Sequence, residues 1–392
     1  MLVQVKWGDD PNVVGPHGKL LRLVNTFRKG LDVLPALLYG KPTSTFYPGW
    51  LPSGIPSRVM AISPDLVHLH WVAGATLTPG GVARLRRPLV WTLHDMWPFT
   101  GGCHYDDGCG RHTARCGQCP LLGSTRLHDL SLWNWRRKRR HWHALSLMVI
   151  SPSRWLAVLA SRSTLLGEHP VRVIPNCIDT ARYRPLPRAQ ARDSLGLPQR
   201  CPLILFGAMN ATADPRKGYR FLQPALARLA SQWRGPGEGP MALVFGGERP
   251  ATPPDFGMRV RYLGALSDDA SLAAAYSAAD VFVAPSTQEN LSNMVMEALA
   301  CGTPSVAFEI GGMPDLIEHR VNGYLASSFD PEDLSMGIQW VIEDARRWKV
   351  LSHAARTKVE STFALAPVAQ AHVEVYREAI ELHSRRAGTP HL

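Results

Sequence analysis

Two glutamates, one arginine–lysine pair, two histidines and four crowded cysteines are the residues whose types and spacing could do chemistry in this chain. Glu289 follows the apolar run Val281-Phe-Val-Ala, which Pro285 and Ser286 stop, so it falls in a loop at the carboxyl end of a buried strand. Glu297 lies in the next helix among Met294, Val295, Met296, Ala298 and Leu299. Turned inward, its carboxylate needs a hydrogen-bonding partner such as a sugar or ribose hydroxyl; turned outward, it is an ordinary solvated glutamate. Arg216 and Lys217 precede Gly218 and a helix starting near Tyr219. Unpaired N–H groups and the dipole at a helix N-terminus favour phosphate, the alternative being a solvated surface lysine. His70 and the pair His94–Asp95 end two further apolar runs, where a parallel sheet presents polar groups to a ligand. Asp95 is expected to orient the His94 imidazole, and a structural histidine satisfied by its neighbours is the alternative for each ring.

Cys103, Cys109, Cys116 and Cys119 fall within a glycine-rich stretch, 101–120. The Cys116-Gly-Gln-Cys119 spacing lets two thiolates reach one tetrahedral zinc, while the Cys103–Cys109 gap is wider than usual. A structural zinc, reduced thiols and disulfides are the readings left open; four thiolates leave no position for a catalytic metal. Downstream, 133–143 joins Arg136, Arg137, Lys138, Arg139 and Arg140 to Trp133, Trp135 and Trp142. Trp135, Arg139 and Trp142 stand at i, i+4 and i+7, so a helix could present rings and cations together to an anionic membrane surface. The alternative is a solvated basic face whose tryptophans pack inward.

The elements that must hold these residues are legible as punctuated apolar runs. A helix is predicted from about Ser292 to Ala300, with Gly302 as its left-handed cap and Pro304 preventing continuation before Ser305-Val-Ala-Phe. Strands are predicted at 1–7, 65–71, 88–95, 145–150, 202–207, 241–247 and 259–264, and helices at 19–38 and 269–279. At 392 residues, two domains are the natural expectation. The 45% hydrophobic and 19% charged content is ordinary for a globular chain, and no run of eighteen apolar residues or signal peptide is seen. The cytoplasm, with peripheral attachment at the inner face of the cell membrane, is the expected location. A formal charge of +11 indicates attraction to an anionic partner without choosing among nucleotide-sugar, nucleic acid and phospholipid.

Taken together, Pro285-Ser-x-x-Glu289, the Glu-x7-Glu pair, Glu297-Ala-Leu-Ala-x-Gly302-x-Pro304, Gly311-Gly312 and Asn322-Gly323 resemble the donor-site signature of retaining glycosyltransferases of family four. The resemblance implies the α/β GT-B fold, two doubly wound Rossmann-like domains facing across a cleft. It divides the chain into an acceptor-side domain over 1–179, a donor domain over 180–365 and a terminal helix over 366–392 that returns to the first lobe. The chain's opening resembles the family's second strand, so the family's first strand and Gly-rich loop are expected to be lacking.

The same resemblance places Glu289 against the donor sugar, Glu297 on the ribose, Lys217 on the diphosphate with Gly218 beside it, the base near Leu263 and His94 near the reacting sugar. Asn290, Leu291, Ser292, Asn293, Gly311 and Gly312 complete the implied donor site, and His70, His94 and Asp95 the acceptor side. The family's usual arginine after the first-strand glycine is Ala208 here, so Arg216 is expected to substitute. The implied activity is hexosyl transfer from a nucleoside diphosphate-sugar to a glycan or lipid-linked glycan, with retention by front-face attack. No Asp-x-Asp occurs, in agreement with catalysis that requires no metal cofactor. The competing readings are a non-catalytic GT-B partner and a zinc-containing nucleic-acid binder, although no nucleic-acid recognition module is evident and none is expected as a partner.

Overall fold

The computed structural model describes all residues except Trp7, His17, Lys41, Thr43, 208–214, 236–237 and 388–392; Ala208, Asp214 and the middle of the predicted 234–240 loop therefore lie outside the described residues. The chain divides into two compact units, Met1–Ile174 with His372–Leu392, and Pro175–Ala371.

The first unit contains α1 (Lys19–Leu37), α2 (Ile55–Ile62), β1 (Val67–Leu69), α3 (Pro79–Ala83), β2 (Leu89–Thr92), α4 (Leu130–Trp142), β3 (Leu147–Ser151), α5 (Arg154–Ser161) and β4 (Val171–Val173). Its four strands pair in parallel in the order β1-β2-β3-β4. β2 and β3 are buried at every residue, as expected where helices cover both faces of a parallel sheet. Asp129 caps α4 by accepting from Leu132 N at 3.0 Å, and Ser153 caps α5 in the same way at 3.1 Å.

The strand predicted over 1–7 does not form over the described residues 1–6. Leu2 makes one isolated bridge to Val14, with Val3 N donating to Val14 O at 2.9 Å. Alternation identifies a segment that could form a strand, but a ladder needs a neighbouring strand in register; this segment folds back on the turn after it.

The second unit contains α6 (Arg188–Ser194), β5 (Leu203–Gly207), α7 (Tyr219–Gln232), β6 (Met241–Phe245), β7 (Arg259–Gly264), α8 (Asp269–Ala278), β8 (Val281–Ala284), α9 (Asn293–Ala300), β9 (Ser305–Phe308), α10 (Met313–Leu316), β10 (Gly323–Ala326), α11 (Pro331–Ile342) and α12 (Ala345–Thr362). A last helix, α13 (Leu365–Ala387), contributes its residues from His372 to the first unit. Six parallel strands run in the order β10-β9-β8-β5-β6-β7. This is doubly wound: the order reverses between β5 and β8, and the crevice outside the carboxyl ends of those two strands is where such sheets bind ligands.

Alternation along the strands supplies both cores. Leu203, Leu205, Phe282, Ala284 and Ala307 face α8, α9 and α12, whereas Ile204, Phe206, Val281, Val283, Val306 and Phe308 face α7 and α11. At the opposite end of β8 from the crevice, Asp280 accepts from Arg192 at 2.7 Å, Arg188 at 2.6 Å and Leu203 N at 2.7 Å. This buried charge is compensated by three donors and ties α6 to the sheet. Among the described residues, no helix is long and apolar enough to cross a membrane.

Candidate active site

In the second unit the loops leaving β5 and β8 are stitched together. Thr287 N donates to Arg216 O at 2.7 Å, and Gly218, at φ +68°, lies so close to Pro285 that a Cβ would stand 1.7 Å from its carbonyl oxygen. Glycine is required there on both counts. This contact sets Lys217 beside Glu289, with Nζ 3.4 Å from Oε2 and both side chains partly buried. A third loop, after β9, closes on the same glutamate: Gly312 N donates to Glu289 O at 3.1 Å, and a Cβ on Gly311, φ +51°, would meet that oxygen at 2.0 Å. The segment carrying Glu289 is thus tied to the loop after β5 through Thr287 and to the loop after β9 through the Glu289 carbonyl, and its carboxylate shares one locus with the ammonium of Lys217.

Asn290 and Leu291 are buried, and Ser292 caps α9 by accepting from Val295 N at 3.4 Å. Asn293, the first residue of α9, accepts from Asn176 at 3.2 Å. One turn further, Glu297 turns inward, as one of its two sequence readings requires. Tyr276 of α8, fully buried, donates its hydroxyl to Glu297 Oε2 at 2.8 Å, and burial raises the Glu297 carboxyl above the usual range. The partner sought in a ligand hydroxyl is therefore met on this oxygen by a tyrosine. Sequence spacing does not reveal Tyr276, because the contact joins two helices. Leu263 lies two strands out from β5, on β7, packed against the core.

In the first unit, His70 and His94 follow β1 and β2 and meet, Nδ1 to Nε2, at 3.0 Å with their rings stacked. His68 joins them; it bridges Tyr376 of α13 and Thr92, each at 2.8 Å, with its ring 4.3 Å from that of His70. The missed signal was the i, i+2 spacing of His68 and His70, which puts both on one face of a strand.

The Asp95 carboxylate accepts from His104 Nδ1 at 2.5 Å and from Trp97 N at 2.8 Å, where the chain turns into a short helix at Trp97. Lys138, fully buried, supports that turn by donating to Trp97 O and, at 3.0 Å, to Thr100 O. An apolar cavity of about 810 Å³ borders β1, lined by Leu2, Val59, Leu69 and Leu77 with His68 and His70 on its wall.

Burial and the adjacent rings hold His68 down to about 3 and His70 to about 4, and burial also lowers His94. A histidine kept neutral in the folded state below its unfolded value of about 6.5 contributes stability that is fully present above that pH. That stability is lost as pH falls from there toward the folded value. The melting temperature should therefore drop between pH 7 and pH 5, less steeply in His68→Gln, which keeps partners for both hydroxyls. Equal slopes in the two proteins would show that His68 does not carry the effect.

Three of the four cysteines are buried, and Cys116 Sγ also accepts from Gly101 N at 3.1 Å. Cys103 and Cys119 pack with Ala36, Phe46, Leu121 and Leu122, Cys116 joins the main core of the unit, and Cys109 is half-buried. Burial pushes the Cys116 thiol up to about 12 and raises the other three. Among the described residues, no group of three or more His, Cys, Asp or Glu side chains is gathered as if to hold a metal ion. The tryptophans of α4 are placed differently from the face drawn above. Trp135 and Trp142 are buried, because with Leu132 and Lys138 they form the core-facing stripe, and Trp133 is the exposed ring.

Residues 4–182 match the model for Glycosyltransferase Family 4, and residues 201–344 that for Glycosyl transferases group 1. A D-inositol 3-phosphate glycosyltransferase of Saccharomonospora viridis is 31% identical over 222 residues, 54% of this chain and 50% of the relative, so that match spans half the relative's length. D-inositol 3-phosphate glycosyltransferase 2 of Catenulispora acidiphila is 26% identical over 90% of this chain and 82% of its own. Among solved structures, Anabaena HepE in complex with UDP and glucose superposes with a TM-score of 0.60 at 21% identity, covering 83% of this chain and 82% of that one.

Proposed function

From a chain that joins a Glycosyltransferase Family 4 domain to a Glycosyl transferases group 1 domain in the GT-B fold, we propose an enzyme that moves a hexosyl group from a nucleoside diphosphate-sugar to an acceptor hydroxyl. The observation that carries this reading is the Lys217–Glu289 pair at the switch point of the second sheet. An ammonium on one loop and a carboxylate on the facing one suit a donor whose leaving group is a diphosphate and whose sugar bears hydroxyls. The bond from the anomeric carbon to the diphosphate oxygen breaks, and Lys217 with Arg216 stabilises the charge that develops there. The acceptor oxygen bonds to the same face of that carbon, which retains configuration, and its proton passes to the departing phosphate oxygen. No metal enters this scheme. Glu289 holds the sugar in place, and the remaining carboxylate oxygen of Glu297 serves the ribose.

For the acceptor, the support is the apolar cavity beside His68 and His70, which suits the hydrocarbon chain of a lipid-linked glycan. A structural zinc on Cys103, Cys109, Cys116 and Cys119 is a separate proposal that rests on their spacing alone, and elemental analysis of the purified protein decides it.

The donor reading is tested by thermal shift with a set of nucleoside diphosphate-sugars. A ligand bound only by the folded chain raises apparent stability by about 2.7 kcal/mol at a hundred times its Kd. At least one nucleoside diphosphate-sugar should raise the melting temperature well above the effect of the free sugar, and the same compound should be turned over. Stabilisation by none of them overturns the proposal, whereas stabilisation without turnover points to the non-catalytic partner.

A further inference from the structure

The outward face of α4 carries Trp133, Arg136, Arg137 and Arg140 at i, i+3, i+4 and i+7, one stripe of the helix. Two adjoining hollows lie along it. One, of about 390 Å³, is lined by Arg115, Leu132, Trp135, Arg136, Arg139 and Arg140. The other, of about 370 Å³, shares Leu132, Arg136 and Arg140 and adds His128, Asp129, Trp133 and Arg137.

The single carboxylate here is not available to neutralise them. Asp129 is buried and accepts from Leu132 N at 3.0 Å, Ser131 Oγ at 2.6 Å and Cys119 N at 2.8 Å. Arg137 is committed to the Gly49 carbonyl at 3.3 Å and lies 4.3 Å over the Trp133 ring. Among the described residues, Arg115, Arg136, Arg139 and Arg140 enter no ion pair, and all four are exposed. On the same stripe Trp133 is 46% exposed, and Leu127, which immediately precedes the hollow-lining His128, is 38% exposed.

We propose that this arginine basin seats the phosphates of an anionic phospholipid surface, with Trp133 and Leu127 entering at headgroup depth, and so docks the chain on a membrane. Guanidinium groups match phosphate oxygens in a bidentate way, and two hollows sharing arginines suit an array of headgroups better than one small anion. The exposed indole and leucine supply the apolar contact that a free phosphate or a nucleic-acid backbone does not use. The site is independent of donor chemistry and does not stand or fall with it.

Co-sedimentation of the full chain with phosphatidylcholine vesicles, with and without phosphatidylglycerol, tests this. Binding should require phosphatidylglycerol and fall with added salt. Each arginine replaced should cost roughly fivefold, so Arg136→Gln with Arg140→Gln should lose about 25-fold, and Arg115→Gln, on a different segment, a further step. Trp133→Ala should also weaken binding, and all variants should keep the wild-type melting temperature. Equal binding to neutral vesicles, or undiminished binding by the folded arginine variants, overturns the proposal. So does protection by pyrophosphate or duplex DNA without vesicle binding, which would assign the basin to a soluble anion or to nucleic acid.

Discussion

Lys217→Ala is expected to lower kcat/KM for the donor found by screening by about 3 kcal/mol of transition-state stabilisation, two orders of magnitude or more, with little change in melting temperature. The two readouts separate because the pair that holds Lys217 is weak as a structural element. At 3.4 Å from Glu289, with partial exposure, the ion pair contributes within about 1 kcal/mol to folding. Charge developing on a departing diphosphate draws far more from the same ammonium. Lys217→Arg should recover only part of the rate, since a planar fork does not fill a point-charge position. Near wild-type turnover in Lys217→Ala would remove the phosphate-site assignment and favour the non-catalytic partner.

The two glutamates should divide their effects. Glu289→Gln leaves the backbone contacts to Gly311 and Gly312 intact and removes only the carboxylate charge beside Lys217. Its consequence should appear in kcat, by about 100-fold, because contact with the reacting sugar strengthens toward the transition state. Ribose is held alike in ground and transition states, so Glu297→Ala should raise the donor KM roughly tenfold with kcat nearly unchanged. It should also cost about 1–3 kcal/mol of stability, because the buried Tyr276 hydroxyl loses its acceptor. Glu297→Gln keeps an acceptor for Tyr276 and should restore the stability. Equal effects of both residues on KM alone would reject the division.

Much of the second unit was legible from local signals. The run Val281-Phe-Val-Ala became β8, Ser292 caps α9, and Gly302 takes a left-handed φ of +73° beyond its end. Each depends on hydrophobic period, side-chain capping or backbone freedom, which a residue and its near neighbours settle. The predicted amphipathic helix over 19–38 and the helix over 269–279 formed for the same reason, as α1 and α8. Where the outcome depended on a distant partner, local reading failed: among the described residues, the alternating segment at the start of the chain forms one isolated bridge and no strand ladder.

From sequence alone, this chain is determined to have two parallel α/β units and to place Lys217 and Glu289 on loops that follow strands, because periodicity and turn chemistry act over a few residues. Tertiary structure decided which of those loops meet. The reversal of strand order between β5 and β8 brings residue 217 beside residue 289, and the missing Cβ of Gly218 lets the loops close. The same holds for Tyr276 on Glu297, the His68–His70–His94 cluster and the inward turn of Trp135 and Trp142. The Tyr276–Glu297 and His70–His94 contacts join separate elements and are set by how sheets and helices stack, which no local pattern encodes.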